Sequence, residues 1–263
     1  MPRILLGLLV LALGCAVGSF LNVVRYRLPR KITMVSGRSK CPNCGRTIAW
    51  YDNIPVASLP ALRGKCRSCG WRIPRIYLVV ELATGLAFLL VWLTFPVKEV
   101  PAYLVLASLL VVTAGIDYDL RIIPDRLTLP GMALGVVFSL ALLRRTPTPL
   151  GGALVHSGLG MLVGGGSLLV IARGYKYFRK IEGMGDGDIK LMAMVGAFLG
   201  WQLSLVTIFL ASLVGAIVGI FVGSRSGQGL KASVPYGVFL SPAAVVSMLW
   251  GPALVHVYLS LVR

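Results

Sequence analysis

Acidic residues are scarce in this 263-residue chain: six Asp and three Glu stand against 26 Lys and Arg, for a formal charge of +17. Charged residues of both signs make up only 13% of the sequence, well below the quarter or so usual in a soluble domain. With 57% hydrophobic residues gathered into long runs, this shortage excludes a soluble enzyme, a secreted disulfide scaffold and a disordered tail. Histidine is almost missing too. His156 and His256 both fall inside apolar runs, and no Ser-His-Asp, HExxH or GxSxG arrangement is present. Chemistry built on histidine is therefore not expected.

What the chain does contain is membrane-spanning material. The first apolar run covers residues 4–24. Gly14-Cys15 faintly suggests a lipoprotein cleavage site, but the run continues past it and only Arg3 precedes it, so an uncleaved span is expected. Further runs follow at 76–96, 100–117, 127–143, 152–172, 189–201, 203–223 and 234–260. The expectation is an all-α polytopic bundle of about eight transmembrane helices, the sixth of them short. Its parts are the first span (1–24), a four-cysteine loop domain (25–75) and a seven-span bundle (76–263).

The basic residues sit mostly in the short loops between spans. On the side of the 25–75 loop there are 21 Lys and Arg, against five on the other side: Arg3, Lys98, Arg144, Arg145 and Arg263. By the positive-inside rule the 25–75 loop is cytoplasmic and both termini lie across the membrane. In a soluble protein the same excess would suggest nucleic acid. Here it orients the chain in lipid, and no nucleic-acid partner is expected.

Glycine is abundant, at 31 residues. Small-xxx-small pairs occur at Gly131/Gly135, Gly160/Gly164, Gly196/Gly200, Gly215/Gly219 and Gly219/Gly223, a spacing that lets helix backbones approach closely in lipid.

Four of the five cysteines form two CxxC pairs, Cys41-Pro-Asn-Cys44 and Cys66-Arg-Ser-Cys69, separated by 21 residues. Two such knuckles supply four thiolates to one tetrahedral zinc. A redox dithiol competes, but it needs only one CxxC. Four cysteines close the coordination shell and leave no position for catalytic water, so the zinc would be structural. Cys15, in the first span, is expected to behave as a small apolar residue.

Five of the six aspartates fall in two clusters. Asp117, Asp119 and Asp125 occupy GIDYDLRIIPDRLTLP, and Asp186 and Asp188 occupy GMGDGDIKL. Acids at membrane depth are costly and point to function. Two carboxyls in a low-dielectric site share a proton, so one can deprotonate water while the other protonates a peptide carbonyl. The same acids could form a proton or cation relay in a transporter, or simply cap helix N-termini, a role that Asp125 and Asp188 both fit. Residue types alone leave protease, transporter and caps open. Gly183, Gly185 and Gly187 add a stretch without side chains, where a substrate backbone could lie alongside.

Several segments in order resemble one family. GSFLNVVRYRLPR (18–30), WYDNIPVASLPALRGKCRSCG (50–70), RIYLVVELATG (75–85), IDYDLRIIPDRLTLP (116–130) and GMGDGDIKL (183–191) are similar to those of bacterial prepilin peptidases, membrane aspartic proteases with a GxGD signature. The resemblance covers nearly the whole chain. It implies cleavage of the short basic leader from type IV prepilins and type II secretion pseudopilins, at the cytoplasmic face of the bacterial inner membrane. It also implies N-methylation of the new terminus with S-adenosylmethionine. Carried over by motif position, the catalytic pair is Asp117 and Asp186, with Asp119, Asp125 and Asp188 shaping the site. Glu182 could add negative potential towards a basic leader, or be a solvated loop charge. The retained cysteines, Cys41, Cys44, Cys66 and Cys69, fit the bifunctional type. No Rossmann-type GxGxxG marks a pocket for S-adenosylmethionine.

Overall fold

The computed structural model describes residues 2–34, 38–143, 149–180, 183–226 and 235–262. Arg144, Arg145, Glu182 and Arg263 lie outside the described residues. The protein is all-α, with no β-strand among the described residues. Seven long helices carry the fold: α1 (Pro2–Arg27), α3 (Ile76–Thr94), α4 (Val100–Leu120), α5 (Asp125–Leu143), α6 (Pro149–Arg179), α7 (Asp186–Ser226) and α8 (Gly237–Val262). A single turn, α2 (Ser58–Ala61), lies in the loop between α1 and α3. Among the described residues six helices are long and apolar enough to cross a bilayer; α5, which carries Pro130, is not among those six. The chain is thus a multi-pass membrane protein, and large apolar side chains such as Leu162, Val170 and Phe209 are exposed on its helices as lipid-facing residues are.

The sixth and seventh apolar runs are joined within α7. The break between them is Gly200, at φ 78° and ψ 178°, a conformation open to glycine alone at little cost. The short sixth run and the seventh are thus two helices that meet at this kink, as expected, and the first of them is the inner segment of α7.

The chain divides into two compact units, residues 1–100 and 101–263. In the first, α1 packs on α3. Gly18 of α1 lies so close to Glu81 that an added Cβ would stand 2.7 Å from the Glu81 Cα. Cys15, half-buried, faces Gly85 of α3. A polar tie fixes the loop-side ends of the two helices, since the Asn22 amide donates to the Tyr77 carbonyl at 3.0 Å. The Glu81 carboxylate accepts the Val56 N–H at 2.7 Å, anchoring the intervening loop to α3.

In the second unit, the inner segment of α7 is the centre. Leu191, Met192, Met194 and Val195 are all fully buried, as expected of a helix apolar on every face. Its neighbours present glycines to it. Gly131 and Gly135 of α5 face Met194 and Ala197, while Gly160 of α6 meets Gly196 backbone to backbone. Gly160→Ala would put a methyl group into the Gly196 carbonyl and within 2.9 Å of the Gly200 Cα, where no side chain can move aside. We expect this variant to lose about 2–3 kcal/mol of stability, measured by thermal or denaturant unfolding in detergent. Gly219→Ala, whose Cβ would meet nothing within 4 Å, should unfold like the parent.

Candidate functional site

The cysteine loop has almost no core. Between residues 38 and 75, Cys41 is the one buried residue. Two matching turns hold the cysteines. In the first, the Cys41 N–H bonds to the Arg46 carbonyl and the Gly45 N–H returns to the Cys41 carbonyl, both at 2.9 Å. In the second, Cys66 N–H bonds to Trp71 O at 2.8 Å and Gly70 N–H to Cys66 O at 2.9 Å. Each turn closes on a glycine with positive φ, 67° at Gly45 and 71° at Gly70, which explains a glycine directly after each CxxC.

All four sulfurs lie within 4.8 Å of one another, and Cys41 Sγ is 3.8 Å from Cys69 Sγ. A tetrahedral metal with bonds of about 2.3 Å to sulfur spaces its ligands roughly 3.8 Å apart, so the four side chains can hold a metal ion. The Trp71 backbone N–H and the Asn43 amide pull the Cys69 thiol down to about 6, and the Cys44 backbone N–H lowers that of Cys41. Both are therefore disposed to the thiolate that a metal requires. Arg67, inside the second knuckle, grips Asp52 through Nε and Nη2 at 2.9 and 2.7 Å. This grip keeps the Asp52 carboxyl below the usual carboxylate range.

The second cluster lies within residues 101–263. α4 ends just after Asp117: Arg121 turns into the left-handed region at φ 55°, and its N–H caps back to the Asp117 carbonyl at 2.9 Å. Pro124 then disfavours helix at Ile123, and α5 begins at Asp125. The short turn leaves Asp117 at the helix end, yet only 5% exposed. Asp119 and Asp125 are exposed. Asp125 takes the Lys190 ammonium on both carboxylate oxygens at 2.7 Å, which ties the start of α5 to the second turn of α7.

At the start of α7 the two aspartates part company. Asp186 is exposed, whereas Asp188 is 9% exposed and near enough to Asp117 for the two carboxyls to interact electrostatically. The N-terminus of α8 completes the surroundings, because the Val238 N–H donates to Asp117 Oδ2 at 3.1 Å. Tyr236, also in electrostatic reach of Asp188, hydrogen-bonds Ser212 at 2.9 Å. It borders an apolar cavity of about 350 Å³ lined by Leu168, Ile171, Met184, Gly215 and Phe239 among others. Both histidines lie away from this cluster in the chain, and His156 packs its ring on Gly200.

The sequence resemblance can now be set beside direct comparisons. Two protein-family models match: the Bacterial Peptidase A24 N-terminal domain over residues 12–95 and the Type IV leader peptidase family over residues 104–220. A prepilin leader peptidase/N-methyltransferase from Aeromonas salmonicida is 35% identical, over 96% of this chain and 93% of its own length. The chain belongs to the type IV leader peptidase family. A Pseudomonas aeruginosa protein with the same description is also 35% identical, with 96% and 93% covered. One from Myxococcus xanthus is 42% identical over 85% of this chain, which spans 65% of that longer relative. No solved structure matches.

Family membership also exposes a signal in the sequence that the motif reading passed over. GMGDGD contains the GxGD pattern twice, as Gly183-Met184-Gly185-Asp186 and as Gly185-Asp186-Gly187-Asp188. The structure buries the aspartate of the second frame and exposes that of the first.

Proposed function

We propose that this chain removes the basic leader from type IV prepilins and type II secretion pseudopilins, using Asp117 and Asp188 as its acid pair, and then N-methylates the new terminus. The observation that carries the reading is the burial of these two carboxyls together at the ends of apolar helices. Asp186, which motif position alone selects, stands outside that pocket.

In the proposed reaction one carboxylate of the pair takes a proton from water, and the hydroxide oxygen attacks the scissile carbonyl carbon. The other carboxylic acid gives its proton to the carbonyl oxygen. As the tetrahedral intermediate collapses, the C–N bond breaks and the amine leaves with the first proton. Gly185, where an added Cβ would meet nothing nearer than the Asp188 carboxylate at 3.8 Å, leaves backbone open beside the acids for an extended peptide. The excess of Lys and Arg on the side of the 25–75 loop supports a cytoplasmic active site in the inner membrane, with the basic leader entering from that side.

Zinc is the metal that best suits four thiolates at tetrahedral spacing, and with its shell closed it would hold the loop rather than react. The division expected from the sequence, a first span over 1–24, a loop over 25–75 and a bundle over 76–263, stands beside two compact units, 1–100 and 101–263, of which the second holds the acids.

For the methyl donor, S-adenosylmethionine, residues 1–100 offer a half-polar cavity of about 340 Å³. Phe20 presents a ring for the adenine, Arg27 a guanidinium for the carboxylate, and Ser19 and Asn53 hydrogen-bonding groups for the ribose. When bound, the donor would supply the methyl group for the amine released by cleavage.

The test is a purified prepilin incubated with the purified protein in detergent. Mass spectrometry should show loss of the leader, and an added methyl group only when S-adenosylmethionine is present. Several prepilins left intact, together with proton flux through reconstituted vesicles, would return the acids to a transporter.

A further inference from the structure

The start of α8 is 120 residues from Asp117 in the chain, yet it meets that carboxyl directly. The Val238 N–H donates to Asp117 Oδ2 at 3.1 Å. It is free to do so because the first amides of a helix have no partner within it. Gly237 comes closer still: a Cβ there would lie 2.8 Å from Asp117 Oδ2 and 2.9 Å from Ile123 Cδ1. Ile123 cannot retreat towards α7, since a Cβ on Gly187 would already stand 2.8 Å from the Ile123 Cβ. Ile123 is thus wedged between two glycines, one beside each acid of the pair, and the Asp117 carboxyl is closed in by backbone.

We propose that Gly237 and the Val238 amide are positioning elements that fix the Asp117 carboxyl against Asp188. This rests on the reading of Asp117 and Asp188 as the acid pair. Neither residue needs to touch substrate. The amide sets which way the carboxyl faces, and the missing side chain at Gly237 lets α8 approach closely enough to do it. A methyl group at Gly237 would force Oδ2 away by roughly half an ångström to reach ordinary contact. A misplacement of this order costs up to about 100-fold in rate where reacting groups must be aligned.

The experiment compares prepilin cleavage by the parent, Gly237→Ala, Val238→Pro and Gly158→Ala. Proline is tolerated in the first turn of a helix, so Val238→Pro deletes the donor and leaves α8 able to form. We expect kcat for Gly237→Ala and Val238→Pro to fall about 30- to 100-fold, with KM within about twofold of the parent. Gly158→Ala, at a helix glycine of α6 with open space around it and away from the cavity beside Tyr236, keeps the parental rate. Unfolding in detergent, followed for each variant, separates lost alignment from lost fold. A parental kcat in either positioning variant overturns the proposal. So does a defect confined to KM, which would place Gly237 on the substrate path instead. Should Gly237→Ala fail to fold, Val238→Pro alone decides. If Asp117→Asn and Asp188→Asn cleave normally, the failure lies with the acid pair and not with α8.

Discussion

Asp188→Asn, and equally Asp117→Asn, should lower prepilin cleavage by about three to four orders of magnitude, the upper range for loss of a general acid or base. Asparagine keeps the size of the side chain and can still hydrogen-bond, but it cannot carry a proton between water and the peptide. The informative comparison is Asp186→Asn, which should cleave within a few-fold of the parent because that side chain is exposed. Initial rates on one purified prepilin, with unfolding in detergent as a control for fold, decide the matter. If Asp186→Asn is inactive and Asp188→Asn is active, the first GxGD frame is the catalytic one and the buried acid has a structural role.

Removing the metal should have the other large effect, on a different part of the molecule. The 38–75 loop buries one residue, Cys41, so its own packing contributes little. Structural zinc in small domains contributes on the order of 10–16 kcal/mol at neutral pH, far more than any contact within this loop. Cys66→Ser, or a strong chelator, is therefore expected to release zinc and expose the loop to limited proteolysis within α2 and the two knuckles. Methylation should disappear with it, because the proposed donor cavity uses Ser39 and Asn53 from the same loop. Cleavage should fall much less, since Asp117 and Asp188 both belong to residues 101–263. Equal loss of both activities would mean that the loop also serves peptide binding.

These two predictions draw on features that differed in how visible they were in the sequence. The four-cysteine cluster was readable because its geometry is local: each CxxC closes its own turn, and the glycine after it marks the positive φ. Most spans were readable from apolar run length, including the short one before the Gly200 kink. The run at 127–143, however, became α5, which is not among the helices long and apolar enough to cross a bilayer. Within the first cluster, Asp117 was selected only by motif position, and burial now sets it apart from the exposed Asp119 at the same helix end. For the proposed second acid, motif position and burial point to different residues, and the reason is helical geometry. Asp186 and Asp188 are two residues apart, hence about 200° apart around α7, so only one can face Asp117. The overlapping GxGD frames contain no information about which. Burial does, and burial comes from packing between segments far apart in the chain, which the motif does not encode. Gly237 and Val238 gave no signal at all, because what they touch lies 120 residues away.

The bare backbone contact between Gly160 and Gly196 has a bearing on how the site can change over time. Nothing smaller than glycine exists, so a neighbour cannot be trimmed to accommodate drift at this crossing. The contact works as a fixed reference mark on α7. From it the depth of Asp188 is counted off, eight residues or about 12 Å along the helix. Substitutions between the two can be absorbed by repacking. A one-residue insertion or deletion cannot, because it would swing the acid through about 100° and shift it by about 1.5 Å. The buried positions between 188 and 196 therefore tolerate volume-conserving apolar exchange, but the stretch tolerates no change in length.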